Sequence, residues 1–441
     1  MSYTDQQLRA ADAEFEPLTI LNRLHAAAVV AFALMSAFPA YFMMFPLRLN
    51  HLAALLLVGT FGAMALAFRR VPRISAGNAA LGYMLVVYGC LVVSASALLS
   101  AISARDPIDA YSYALRFILG AILVVAVPAF AIDRAGRARW ITKSLILGGT
   151  ASSLLALIGY WLPVIGASTI GVGRRAESLF DHPNQFGMVV LALFPLALAY
   201  ALEAPKRPLR WLVCGAIASG VVLSGSFVNT LLLVAGTALL LFSVYSNSLS
   251  LRRVVLGQTA ILLLAGSIAL IGPDRLAAAS PRVAGMLSAV QASGDLSARL
   301  PSVDERLGLY RTALETWREH PLLGVGADNA HHYLTRPSGT PISHAHNMFI
   351  NAALSTGIIG LLALAVLAIG WVLTAFQLLT LRIAKASDAL LSKGVGTALI
   401  LLFLSNQSSD SLSGTVIYPL WALLGIAFAL AAANEVGGVK S

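Results

Sequence analysis

The stretch His344-Ala345-His346-Asn347 sets two imidazoles and an amide where a Gly- and Pro-punctuated segment runs into a long apolar one. An imidazole titrates near neutrality, so His344 and His346 suit the removal of a proton from a hydroxyl. A structural cap on the apolar helix that follows is the plainer reading of the same residues. Upstream, in "PLLGVGADN", Gly324 and Gly326 permit a tight backbone turn. Before that turn, "VDERLGLYRTALETWREH" has helical spacing, with Leu307, Tyr310, Leu314 and Trp317 as its apolar stripe. Its arginines Arg306, Arg311 and Arg318 have Glu305, Glu315 and Glu319 within reach as partners on a solvated face. Arg306 is the one singled out as functional, with Arg311 as a second cation able to turn toward a cavity beneath.

Two further groups carry candidate chemistry. "GVGRRAESLFDHPNQFG" places Arg174 and Arg175 side by side, followed by His182 and Asn184 just ahead of an apolar run. Guanidinium forks match phosphate oxygens, so a phosphate-bearing ligand accounts for the pair, and headgroup anchoring is the alternative. "LSNQSSDSLSGT" brings Asp410 to the edge of another apolar run, where a carboxylate is costly without a functional or ionic partner. A zinc site on His331, His332, His344 and His346 is a rival reading. The His-x-His pair is a weak metal signature, and no His-Glu-x-x-His accompanies it.

The elements that must hold these groups are membrane helices. Of 441 residues 58% are hydrophobic and 11% charged, and apolar runs of about 20 residues, the length that crosses a hydrocarbon core, recur from end to end. The expected fold is an all-α integral membrane protein, one polytopic domain over residues 1–441. Spans are expected near 25–45, 49–68, 79–102, 113–132, 141–162, 186–203, 209–226, 229–246, 254–272, 350–380, 395–409 and 415–433, about twelve in all. With the N-terminus inside, the inner loops hold 15 Lys and Arg and the short outer loops 4, the bias expected of cytoplasmic loops. Residues 273–345 then form one long periplasmic loop between spans 9 and 10, with short helices lying over the membrane. The acidic N-terminus lacks a basic n-region, so the first apolar segment is expected to stay as an anchor. Cys90 and Cys214 lie in apolar runs and read as small buried hydrophobes. The net charge of +10 is spread over short turns rather than a nucleic-acid-binding face. No P-loop or dinucleotide fingerprint is present.

Three pieces, "SLFDHPNQFG", "ERLGLYRTALETWREHPLLGVGADN" and "HAHNMFINAALSTGIIGLL", together resemble the O-antigen ligase and polymerase superfamily of bacterial membrane glycosyltransferases. The resemblance runs from about 175 to 365 at the level of motifs. It implies transfer of a glycan from undecaprenyl diphosphate to a sugar hydroxyl at the periplasmic face of the inner membrane, both termini being cytoplasmic. The acceptor is lipid A-core oligosaccharide in a ligase and a second lipid-linked unit in a polymerase. It implies no metal and no nucleotide cofactor. On this chain His346 becomes the general base, Asn347 orients the acceptor, Arg306 with Arg174 or Arg175 holds the diphosphate, and Gly324 and Gly326 shape the loop above. The family places an Arg between the seventh and eighth spans, where this chain reads Ser226-Phe227-Val228. That departure implies a substitute arginine, a different donor or lost activity. Outside the family, a polytopic transporter fits the even span count, but no matching Gly/Pro-interrupted halves appear.

Overall fold

The computed structural model describes residues 3–38, 49–68, 80–131, 135–161, 170–171, 175–176, 178–180, 182–245, 301–336, 339–381, 383, 385–409, 412 and 417–438. These form helices α1 (Tyr3–Ser36), α2 (Leu49–Phe68), α3 (Ala80–Ser100), α4 (Pro107–Ala131), α5 (Ala135–Trp161), α6 (Pro183–Glu203), α7 (Pro208–Leu223) and α8 (Phe227–Tyr245). After them come α9 (Pro301–Glu319), α10 (Met348–Thr380), α11 (Ala386–Ser405) and α12 (Ile417–Gly438). A small antiparallel ribbon pairs β1 (Ile170–Gly171) with β2 (Arg175–Ala176). Eleven of the twelve expected spans coincide with helices. The expected span 254–272 and the stretch 273–300 lie outside the described residues, as do Arg174 and Asp410.

Seven helices, α3, α4, α5, α6, α8, α10 and α11, are long and apolar enough to cross a membrane. Shorter apolar stretches in α1, α2, α7 and α12 join them. Side chains such as Leu66, Leu212, Leu362 and Phe376 face outward on these helices. A continuous apolar exterior over an apolar interior is stable only with lipid as solvent, so the chain is an all-α integral membrane protein. Helix α6 is the pillar: 83% of its apolar stretch is buried, against 33% for α8, and α5, α7, α8 and α11 pack around it. Its start is set by His182 as N-cap and Pro183 in the first turn, where a missing N–H costs nothing. Cys90 and Cys214 are both buried.

Helix α10 is broken. Gly357 has φ 65° and ψ −161°, which separates a short leg, 348–356, from a long one, 358–380. The turn 321–326 fills the break. Val325 N–H donates to Leu354 O (2.9 Å), Gly326 N–H to Ser355 O (3.0 Å), and Ile358 N–H to Pro321 O (2.9 Å). Loop backbone thus takes up Leu354 O, Ser355 O and Ile358 N–H at the kink, as irregular chain at membrane depth requires. Gly324, at φ 67°, is required by this contact, since a Cβ there would sit 2.4 Å from Leu354 O.

A second, smaller core lies over this break. Leu309, Ala313, Val325, Ala330, Leu334, Ile342, Ala345 and Leu354 form it, apart from the main core of the bundle. It is a cap built from α9, the turn, and the short leg of α10. The expected apolar stripe of α9 is corrected here: Leu307 and Leu314 are exposed, while Leu309 and Ala313 are buried. The buried pair is spaced four residues apart, as a helical face should be, but small Ala313 hid it behind larger neighbours.

Candidate functional site

The site begins at the N-terminus of α10. Asn347 is the N-cap, its Oδ1 accepting from Phe349 N–H (3.0 Å) and Ile350 N–H (3.1 Å). Its Nδ2 donates to Gln407 at the end of α11, with the main-chain oxygen at 3.3 Å. Met348 N–H donates to Asn406 O (3.2 Å), and Ala345 N–H to Asn351 Oδ1 (3.2 Å). Between these anchors His346 has φ 56°, in the left-handed region where a side chain other than Gly costs about 1–3 kcal/mol. The cap and the α11 contacts hold it there.

The rings of His344 and His346 meet edge to face with centroids 4.5 Å apart. Nδ1 of His346 and Nε2 of His344 are buried without a hydrogen-bond partner among the described residues. His344 Nδ1 lies 3.0 Å from Ser343 Oγ. Burial pushes the proton affinity of both rings down, and neighbouring positive charge pushes it further. His344 falls to about 4, and Arg336 and Arg306 assist. His346 falls well below the usual imidazole range, and after burial the groups acting on it are His344, Arg306, His182 and Arg336. Both imidazoles are therefore neutral at pH 7. Three segments distant in sequence converge here, with Arg306 from α9, His182 from the N-cap of α6, and the His344–Asn347 stretch.

Arg175 reaches the site's other wall. Its Nε donates to Ser224 O (2.8 Å), and its Nη2 to Asn184 Oδ1 (2.5 Å). A Cβ on Gly225 would approach Arg175 Nε to 3.0 Å. The guanidinium thus lies against the α7–α8 break, beside Ser226-Phe227-Val228. His182 Nδ1 accepts from Asn184 N–H (3.0 Å), which links this wall to the histidines.

Arg311 is exposed on α9 and stands apart from these groups. Gly324 and Gly326 seat the cap rather than face the rings. The turn after them is clamped to the α3–α4 corner: Ser103 Oγ donates to Gly324 O (2.8 Å), Asp106 N–H to Asn329 Oδ1 (2.7 Å), and Arg116 pairs with Asp328. His331 stacks on His332 at 4.0 Å, and among the described residues no three His, Cys, Asp or Glu converge as a metal-holding group.

Sequence reasoning passed over Arg336, Asn351 and Gln407, and gave Tyr310 only to an apolar stripe. Arg336 pairs with Glu305 at 3.1 Å and bears on both histidines. Tyr310 Oη lies 3.4 Å from His346 O. Asn351 stands one helical turn after Asn347, a spacing that was there to be read. Nothing in the sequence marks Arg336.

These features define a polytopic membrane protein with a polar, histidine-bearing site under a folded cap. Residues 211–365, about a third of the chain, match the family model described as Wzy_C, O-Antigen ligase. No curated protein matches the chain. The matched span runs from α7 through the cap into the long leg of α10 and so includes Arg306, Gly324, His346 and Asn347. It supports a membrane glycosyltransferase of the ligase or polymerase kind.

Proposed function

We propose that this protein transfers a glycan from undecaprenyl diphosphate to a sugar hydroxyl, with lipid A-core oligosaccharide as the acceptor. The cap faces the periplasm of the inner membrane, and both termini are cytoplasmic. The excess of Lys and Arg in the loops at the opposite end supports that orientation. One observation carries the reading: a neutral imidazole, His346, set beside Arg306, Arg336 and His182, with a buried nitrogen that has no hydrogen-bond partner among the described residues.

In the reaction His346 accepts the proton of the acceptor hydroxyl as that oxygen attacks the anomeric carbon. The carbon–oxygen bond to the diphosphate breaks, and undecaprenyl diphosphate leaves with the electron pair. Arg306 holds its charge, and Arg175 takes the place of the family arginine at the α7–α8 break. Asn347 fixes the backbone that presents His346 and orients the acceptor. His344, Asn184 and His182 complete the polar wall. The diphosphate arrives with the donor, so the activating group needs no nucleotide. Its negative charge also offsets the arginines and raises the proton affinity of His346 only when donor is bound. A base that is weak at rest becomes competent in the complex.

The test is glycan transfer in proteoliposomes supplied with lipid-linked glycan and either acceptor. Replacing a general base costs about 100- to 10,000-fold, so His346→Ala should lose transfer by that factor while retaining donor binding. Transfer at the unaltered rate would end this assignment. Product on a second lipid-linked unit instead of on lipid A-core would move the protein to the polymerase branch.

A further inference from the structure

At the end of the bundle opposite His346 lies a polar cavity of about 150 Å³. Helix α6 connects the two, beginning at His182 and ending at Glu203, about 30 Å away at helical rise. Arg139, Lys143, Tyr200, Glu203, Arg210 and Ser387 line its polar side. Ile146, Leu196, Ala199 and Leu391 line the other.

Among the described residues the charges here do not balance. Arg139 pairs with Glu203 (3.2 Å) and Asp388 (2.7 Å), Arg210 pairs with Glu203 (3.0 Å), and Lys385 approaches Asp388 at 3.9 Å. Two carboxylates are thus shared among three cations. Lys143 adds a fourth, with its Nζ 5.9 Å from the Tyr200 ring and no carboxylate partner among the described residues. Arg210 lies over the same ring at 3.7 Å, and its Nε is buried without a hydrogen-bond partner among the described residues. Of the four helices that line the cavity, α5, α7 and α11 begin here and present the positive ends of their dipoles, and α6 ends here with its negative one, so the helix ends add to the excess. Gathering cations at positive helix ends is unfavourable unless an anion joins them.

We infer that this cavity binds the phosphate of an anionic phospholipid headgroup. Lys143 binds the phosphate in the positive field of Arg139 and Arg210, and Ile146, Leu196 and Leu391 accept the glycerol and first methylenes. The apolar wall favours a lipid over free phosphate, since inorganic phosphate gains nothing from it. The site is independent of the proposed transfer chemistry.

The experiment uses the full-length protein, delipidated in neutral detergent. Thermal unfolding is followed against short-chain phosphatidylglycerol, short-chain phosphatidylcholine and inorganic phosphate, because a ligand of the folded state raises Tm by mass action. Phosphatidylglycerol should raise Tm, phosphatidylcholine should not, and Lys143→Gln should weaken the response about tenfold, with Lys143→Arg restoring it. Equal stabilisation by inorganic phosphate would identify a free anion as the source of the phosphate. Equal responses to both lipids, unchanged by Lys143→Gln, would overturn the site. The exposed position of Lys143 keeps that variant folded, and its Tm without added ligand serves as the control.

Discussion

His346 is held neutral at pH 7 by burial and by its position among cations. Its folded proton affinity is lowered, first by burial and then by His344, Arg306, His182 and Arg336. The neutral ring is the active form of a base, so activity should persist below pH 6.5 and fail only as pH drops through the lowered value. In the proposed donor complex the diphosphate raises that value. The acid limb of kcat, which reports the complex, should therefore lie at higher pH than the limb of kcat/KM, which reports the free protein. Arg306→Gln removes a cation that lowers the proton affinity of His346, so it should move the kcat/KM limb upward in pH as well as weaken donor binding. Initial rates taken from about pH 8 down to the acid limit of the folded protein test both signs. A limb that Arg306→Gln leaves in place would detach Arg306 from the base.

The broken α10 is the element that creates the site. A continuous helix from 348 to 380 would leave no seat for the turn at 321–326, and the cap would have nothing to dock on. Gly357 opens the ladder, and Val325, Gly326 and Pro321 close it from outside. Gly324→Ala must place a methyl group against Leu354 O at positive φ, with a cost of about 2 kcal/mol or more. The purified variant should show a lower Tm and faster proteolysis between α9 and α10. An unchanged melting curve would mean that the turn does not depend on the break. Asn347 works at the same scale, since capping the short leg and reaching Gln407 ties α10 to α11.

Over the whole molecule two cores divide the labour. The bundle buries its apolar surface around α6 with lipid outside, and the cap has a small core of its own above the break. The two ends of the bundle can be assigned by chemistry that the native chain leaves clear, because Cys90 and Cys214 are both buried. Glu315→Cys on α9 and Lys206→Cys between α6 and α7 occupy exposed positions. A membrane-impermeant maleimide should label the first in intact cells with an opened outer membrane and the second only after lysis. The reverse pattern would place the histidines in the cytoplasm and remove the proposed acceptor.

The sequence by itself determined the membrane class, eleven of the helix spans and the Gly, His and Asn residues around which the candidate site is built. Each of these is a local matter of hydropathy, periodicity or backbone permission. The α7–α8 division was legible in "LSGSFVNT", and the site histidines in their position before an apolar run. Only the tertiary structure decided that Arg175 fills the α7–α8 break, that His182 and Arg336 bear on His346, and that α9 packs through Leu309 and Ala313. It also decided that "GVG" and "STG", some thirty residues apart, complete one another's hydrogen bonds. Those facts depend on which distant backbones approach within a few ångströms. Apolar periodicity tells a helix to be buried, but the partner it is buried against is chosen by packing, which no single stretch of sequence contains.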